Sequence, residues 1–193
     1  MKKFILLFLV ILNTVTVLAQ KQNITFSHLT TDDGLSQFSV NSLYVDEEGG
    51  IWIGTREGLN RYNGNNIKTF KLQKNNPNSL FCNTILRITG DQKGKVYVLC
   101  TEGVAQKFTT LLQGKVTSIY FNERLFIGKK DEVYVFNKET RNFDLTYHLA
   151  GKDISIVCLH LDDKGNLWMG TENSGVYNWI KTKHLPTPLK REI

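Results

Sequence analysis

Few of the residues that usually build sites are present. Three cysteines, Cys82, Cys100 and Cys158, are an odd number and show no C-x-x-C spacing. Each sits in an apolar, strand-like run, which predicts buried small hydrophobes in preference to a disulfide or a metal site. Four histidines, His28, His148, His160 and His184, fit no metal-ligand or triad spacing. His160 lies inside the apolar run from Ile156 to Leu161 and is expected to be packed or channel-facing. No Walker, Rossmann or G-x-S-x-G motif occurs, so neither a cofactor nor a metal is expected. Long stretches of helical periodicity are also scarce. An excess of positive charge is present, at a formal +6, but Lys68, Lys71, Lys74, Lys93, Lys95, Lys129, Lys130, Lys181 and Lys183 are scattered among acids and turn glycines. A nucleic-acid footprint needs basic residues clustered on one face, so no nucleic-acid partner is expected.

The one long apolar run comes first. Met1, Lys2 and Lys3 precede Phe4 to Leu12, and Val17, Leu18 and Ala19 follow a stretch diluted by Asn13, Thr14 and Thr16. This is the order of a basic n-region, an apolar h-region and a small-residue cut site. The expected cleavage falls between Ala19 and Gln20, giving a signal peptide over 1–19 and an exported, periplasmic product. The strongly apolar part is short for ~30 Å of hydrocarbon and has no basic stop-transfer cluster after it. With no second apolar run, no membrane span is expected. Loss of Lys2 and Lys3 lowers the charge from +6 to +4.

What the rest of the chain holds in quantity is short β-branched and aromatic runs divided by Asp, Asn, Gly and Lys, the pattern of many short strands. One segment recurs. Gly50-Ile51-Trp52-Ile53-Gly54-Thr55-Arg56-Glu57-Gly58-Leu59 returns from Lys95 to Val104, from Arg124 to Val133, and, with one inserted residue, from Asn166 to Val176. The aligned aromatics Trp52, Tyr97, Phe126 and Trp168 lie 45, 29 and 42 residues apart. Such periods indicate propeller blades, and the short interval predicts a second blade trimmed in its outer strand.

The first copy predicts four strands: Val40 to Val45, Ile51 to Thr55, Gly58 to Tyr62, and Asn66 to Leu72. An Asp46–Gly49 turn and an Asn63-Gly64 hairpin separate them. Four strands make one blade. Inner strands of the later blades are expected at Cys82–Thr89, Val116–Phe121 and Ile154–Leu161, with a further strand from Ile24 to Leu29 able to close a ring. The fold class is therefore all-β: a β-propeller of four-stranded antiparallel blades, about four of them, near 40–72, 82–112, 115–149 and 153–180. Trp52, Gly54, Thr55, Gly58, Tyr97, Phe126, Trp168 and Gly170 are the structural repeat positions, with the aromatics expected between blades. After Ile180, Pro186 and Pro188 argue against a ladder strand.

The segment Phe26-Ser27-His28-Leu29-Thr30-Thr31-Asp32-Asp33-Gly34-Leu35-Ser36 resembles the opening of two-component regulator propellers of Bacteroidetes hybrid sensor kinases. So do Val40 to Gly49 and the run Ile51 to Gly64, and the copy from Asp162 to Thr171 is similar. The second and third copies depart from the pattern, with Leu99 and Cys100 where it has Gly and Thr. The resemblance implies a periplasmic sensor of glycan fragments, seven blades per propeller, an oligosaccharide ligand, signalling through a homodimer, and a kinase that is not in this chain. The four copies then read as part of an incomplete seven-bladed propeller in a longer product; a four-bladed ring closed by the N-terminal strand is the other reading.

Loop residues on a rigid scaffold are the natural binding groups. Arg56, Arg61 and Tyr62 flank one strand connection, and guanidinium with an aromatic ring suits a sugar or carboxylate. Against this, Arg56 can pair with Glu57 or Glu48, and Arg61 can lie along the blade. Asp46, Asp91 and Asp162 recur at equivalent turns and faintly resemble the aspartate boxes of sialidases, one residue too far from the tryptophan. No catalytic residue is identified, so the chain is expected to be non-enzymatic. A glycan-active propeller of sialidase or lyase type and a protein-interaction propeller are the alternatives.

Overall fold

The computed structural model describes residues 26–106, 109–151 and 153–180. The signal segment expected over 1–19, its expected cleavage pair Ala19 and Gln20, Ile24, and the tail with His184, Pro186 and Pro188 lie outside the described residues.

Fifteen strands form four antiparallel sheets, each in chain order. The first holds β1 (Val40–Val45), β2 (Ile51–Thr55), β3 (Gly58–Tyr62) and β4 (Ile67–Phe70). The second holds β5 (Ile85–Gly90), β6 (Val96–Cys100), β7 (Gly103–Gln106) and β8 (Thr109–Gln113). The third holds β9 (Ser118–Asn122), β10 (Arg124–Lys129), β11 (Glu132–Asn137) and β12 (Asn142–His148). The fourth shows three strands among the described residues, β13 (Ile156–Leu161), β14 (Leu167–Thr171) and β15 (Val176–Trp179). No α-helix occurs among the described residues; one 3-10 turn spans Thr31–Asp33. The fold is the all-β propeller that the sequence predicts.

Second strands read as continuous apolar runs because sheets cover both of their faces, and every residue of β6 is buried. Outer strands such as β4 and β12 carry no fully buried residue. Three cores lie between consecutive sheets. Trp52 packs with Ile85, Ile88 and Val98, Tyr97 with Ile119 and Ile127, and Phe126 with Ile156, Leu159 and Met169. Trp52, Tyr97 and Phe126 thus lie between blades; Trp168, for which the same position was expected, is 40% exposed, with no following sheet over it among the described residues. Gly54 sits where the next blade comes closest: a Cβ there would lie 2.6 Å from Ile85 Cγ2.

Several sequence expectations are corrected. Inner strands of the second, third and fourth blades begin at Ile85, Ser118 and Ile156, later than expected from Cys82, Val116 and Ile154. Leu80, Cys82, Val116 and Ile154 are buried but stand outside the ladders. Leu80, Cys82 and Val116 pack into the cores between sheets, and burial makes such residues look like strand. The described part of the supposed Ile24–Leu29 strand, from Phe26 onward, pairs with nothing in a ladder, and Phe26 is exposed. The second blade keeps its outer strand, β8. The short repeat interval arises mainly from the connection to the next blade, residues 114–117, compared with 71–84 after the first blade.

The cysteines are corrected too: Cys82 and Cys100 are joined in a disulfide with Cα atoms 6.6 Å apart, while Cys158 is free and exposed. Both bonded residues are buried, as expected, but they face each other across the seam between an incoming linker and β6. In the first blade the same seam is held by hydrogen bonds. Ser36 Oγ lies 2.8 Å from Thr55 Oγ1, the Thr55 hydroxyl donates to the Gly58 carbonyl at 3.0 Å, and Ser36 N–H donates to Asn60 Oδ1 at 2.9 Å. Fully buried Asn60 also donates from Nδ2 to Ser36 Oγ at 2.8 Å and to the Ile53 carbonyl at 3.1 Å.

Two outcomes follow from these clasps. Reducing the disulfide, which closes a loop of 18 residues, lowers unfolding free energy by about 3 kcal/mol; urea titration with and without reductant reads the difference. Asn60→Ala removes the acceptor of part-buried Ser36 N–H and of the Thr69 hydroxyl, and the donor to Ser36 Oγ and the Ile53 carbonyl, and costs roughly 2–3 kcal/mol. A loss under about 1 kcal/mol in the same titration would refute the role given to Asn60.

Candidate functional site

Two places concentrate polar side chains: the β1–β2 turn with its repeats, and the axis along which the inner strands meet.

At the turn, Asp46 is almost fully buried. Its Oδ1 accepts from Gly50 N–H at 2.7 Å and Glu48 N–H at 3.1 Å. Its Oδ2 accepts from Trp52 Nε1 and from Arg61 Nε, each at 2.8 Å. Arg61 also donates to Glu48 Oε2 at 2.6 Å and lies over the Trp52 ring, 5.7 Å from its centroid. Gly50 makes room for that guanidinium, since a Cβ would meet Arg61 Nη2 at 2.7 Å. In the fourth blade Asp162 repeats the arrangement, accepting from Trp168 Nε1 at 3.0 Å and from Asn166 N–H at 2.8 Å. In the second, Asp91 accepts from Lys93 and Lys95 N–H, both at 2.9 Å. The recurring aspartates therefore fasten each turn to the strand beyond it. Among the described residues no group of three or more His, Cys, Asp or Glu could hold a metal ion.

These contacts set the charge state of the turns. Burial pushes the Asp46 carboxyl up, but bonds from Arg61, Trp52 and Gly50 outweigh it and hold the group below its ordinary 3.8. The Trp168 bond is the main cause that brings Asp162 down to about 2.

The three residues expected to bind ligand are placed apart. Arg61 is engaged with Asp46 and Glu48. The Tyr62 hydroxyl donates to the Gly64 carbonyl at 2.6 Å. Arg56 is exposed in the β2–β3 turn at the other end of β3. From Gly58 to Arg61 is about 10 Å at 3.3 Å per residue, so the two arginines stand toward opposite ends of β3.

The axis brings together residues that sequence reasoning missed. A cavity of about 280 Å³ is lined by all four inner strands, including Ser42, Arg87, Thr89, Tyr120 and Cys158. Each inner strand is a sheet edge, and side chains meet some of its backbone groups: Ile88 N–H donates to Ser42 Oγ at 3.0 Å and Asn41 Nδ2 donates to the Ile85 carbonyl at 2.8 Å. Arg87 reaches across it, donating to the Val157 carbonyl at 3.4 Å. The signal for Arg87 lay in the repeat. Small residues oppose glycine in the other blades, as Ser42 opposite Gly54, Ser118 opposite Gly128 and Cys158 opposite Gly170. In the second blade Arg87 opposes Leu99, and the cation replaces a small residue on the axial strand.

The sequence model described as "Two component regulator propeller" matches residues 34–57 and 149–173. Those segments contain the two Asp–Trp turns. In these two segments the chain is similar to two-component regulator propeller repeats. Over 63 residues it is 44% identical to Histidine kinase P4 of Formosa agariphila, a match covering 33% of this chain and 4% of that protein. Its fold is similar to the extracellular domain of the putative hybrid two component system BT4673 from B. thetaiotaomicron, with TM-score 0.63, 22% identity, and coverage of 76% of this chain and 21% of that one. It is also similar to PorZ, a surface component of the type-IX secretion system of Porphyromonas gingivalis, with TM-score 0.58, 16% identity, and coverage of 79% and 22%. These propeller repeats thus span a small part of the length of the curated relative.

The turn carboxylates predict an acid response. Both have folded values below 3.8, so their contribution is complete above the unfolded value and is lost as pH falls through the folded values. Melting temperature should hold level down to roughly pH 5 and fall between about pH 4 and 2. Asp162→Asn should flatten part of that fall. Thermal unfolding followed by tryptophan fluorescence across a pH series checks it.

Proposed function

We propose that this chain is the ligand-sensing propeller part of an exported two-component sensor, binding a glycan-derived molecule without turning it over and signalling to a kinase outside these residues. The observation that carries this reading is the pair of matched repeats built on the Asp46 and Asp162 turns. The kinase named among the relatives supports the signalling half. The Cys82–Cys100 disulfide supports export, because such bonds persist in oxidising compartments; removal of residues 1–19 after Ala19 belongs to the same reading.

For the ligand we favour the axial cavity. Arg87 supplies a cation, Ser42 and Thr89 supply hydroxyls, and strand-edge peptide groups supply donors and acceptors to a polyhydroxylated, acidic molecule. Arg56, exposed on a blade end, can reach ligand on a face of the propeller, whereas Arg61 and Tyr62 would act by keeping the turn in shape.

Thermal unfolding with a panel of neutral and acidic oligosaccharides tests this. A ligand at a hundredfold excess over Kd stabilises by about 2.7 kcal/mol, a rise of roughly 5–10 °C. The expected result is such a rise with an acidic oligosaccharide, its loss in Arg87→Ala, and no product on chromatography. No shift with any saccharide, or release of product, would overturn the reading.

A further inference from the structure

Each inner strand places one side chain opposite the aromatic of its second strand. Register aligns Tyr44 with Trp52, Thr89 with Tyr97, Tyr120 with Phe126 and His160 with Trp168. Two of these residues are tyrosines, and their surroundings differ.

Tyr44 lies over the next blade. A Cβ at Gly90 would run into its ring, so the glycine is what admits it. Its hydroxyl accepts from Gln92 N–H at 3.3 Å and from Gln92 Nε2 at 3.0 Å. Tyr44 is no part of the axial lining. Tyr120 has no such seat. In the fourth blade the equivalent of Gly90 is Leu161, which pairs with Leu167 as Gly90 pairs with Val96. Leu161 is half-buried against the same core as Tyr120, and its side chain takes the space that Gly90 leaves open. Tyr120 lines the axial cavity. Its ring is tilted on Phe126 at 6.5 Å and meets His160 edge to face at 5.5 Å, contacts that restrain its rotation. The Tyr120 hydroxyl makes no hydrogen bond among the described residues.

The axis therefore gathers three kinds of group: the Arg87 cation, the hydroxyls of Ser42 and Thr89, and a restrained, half-buried aromatic ring with an unengaged hydroxyl. A cation alone suits any anion. A ring beside it selects an anion carried on a body with an apolar face, and tyrosine adds a polar tip to that contact. The volume of about 280 Å³ is slightly below the ~300–1,000 Å³ usual for ligand sites, so a single sugar ring fits it better than a chain of them. A hexuronic acid meets each demand. Its carboxylate suits a guanidinium, its C–H face suits the tyrosine ring, and its hydroxyls suit Ser42 and Thr89.

Resting on the reading of the axis as the ligand site, we propose that Tyr120 is its specificity-determining residue, stacking on the C–H face of a terminal hexuronic acid whose carboxylate pairs with Arg87. Proton NMR titration of the purified chain with galacturonic and glucuronic acid, and with galactose and glucose as their neutral counterparts, separates the two side chains. Wild type should prefer each acid over its neutral sugar, and Arg87→Ala should erase that preference. Tyr120→Leu, which keeps an apolar side chain against the core, should weaken acid and neutral sugar alike by roughly three- to tenfold and leave the preference in place. Tyr120→Phe, which keeps the ring, should bind within about threefold of wild type. The C–H resonances of the sugar should move upfield on binding to wild type and to Tyr120→Phe, but not to Tyr120→Leu. Melting temperatures of the unliganded variants check that each is folded. Unchanged affinity and upfield shifts in Tyr120→Leu overturn this inference and leave the axial reading standing. An equal loss in Tyr120→Phe and Tyr120→Leu overturns stacking in favour of the hydroxyl. No binding of either acid to wild type also overturns the inference, while the oligosaccharide panel decides the axial reading separately.

Discussion

A four-stranded sheet of this kind has two apolar faces and can cover neither by itself, and the rest of the structure follows from that constraint. Coverage comes from the next sheet, so a large ring on the second strand must enter the neighbour and the neighbour must be close. Fully burying a side chain of this size is worth about 1.5–3 kcal/mol over leaving it exposed. Trp52, Tyr97 and Phe126 each lie in such a seam. Close approach in turn forces a glycine at Gly54, where any side chain would strike Ile85. The aromatic and the glycine two residues later are thus two consequences of one packing rule, and they recur together in the first, third and fourth blades.

Sheets packed face to face still need fixing at their edges, and the chain does this through the linker entering each blade. In the first blade the linker is bound by Ser36, Thr55 and Asn60 in a closed set of hydrogen bonds. In the second, cysteine stands at the position of Thr55 and bonds covalently to the linker. In the third, the Thr117 hydroxyl donates to the Gly128 carbonyl at 3.0 Å. Different chemistries meet the same need, so the loss of the Gly-Thr pattern at Leu99 and Cys100 marks a substitution of fastening with the blade retained.

Much of this was legible beforehand, and the reasons for the misses are physical. Strands β1, β2 and β3 have the bounds that alternation and turn residues predict, because Asp46–Gly49 and Asn63-Gly64 set sharp limits. The inner strands of later blades begin late because an apolar residue can be buried as a plug without joining a ladder, and composition does not separate the two cases. The disulfide was missed because its partners are 18 apart in sequence and meet only when the linker folds across the sheet. Arg61 looked available because its partners, Asp46 and Glu48, lie two strands back; its neighbour Tyr62 is tied to Gly64 for equally local reasons.

The same logic indicates where function resides in a repeat array. A feature repeated from blade to blade answers a need that those blades share, and the aspartate turns of the first, second and fourth blades show it: Asp46, Asp91 and Asp162 each bind backbone N–H groups of their own turn. Such residues, however reactive their type, are occupied with folding. Specificity has to come from positions at which one blade departs from the others without a structural reason. Cys100 departs with a reason, the clasp. Arg87 departs by setting a cation where the other blades place Ser42, Ser118 and Cys158, and it reaches across the axis to the Val157 carbonyl. That asymmetry, more than the size of the cavity, is what supports the proposal of an axial site.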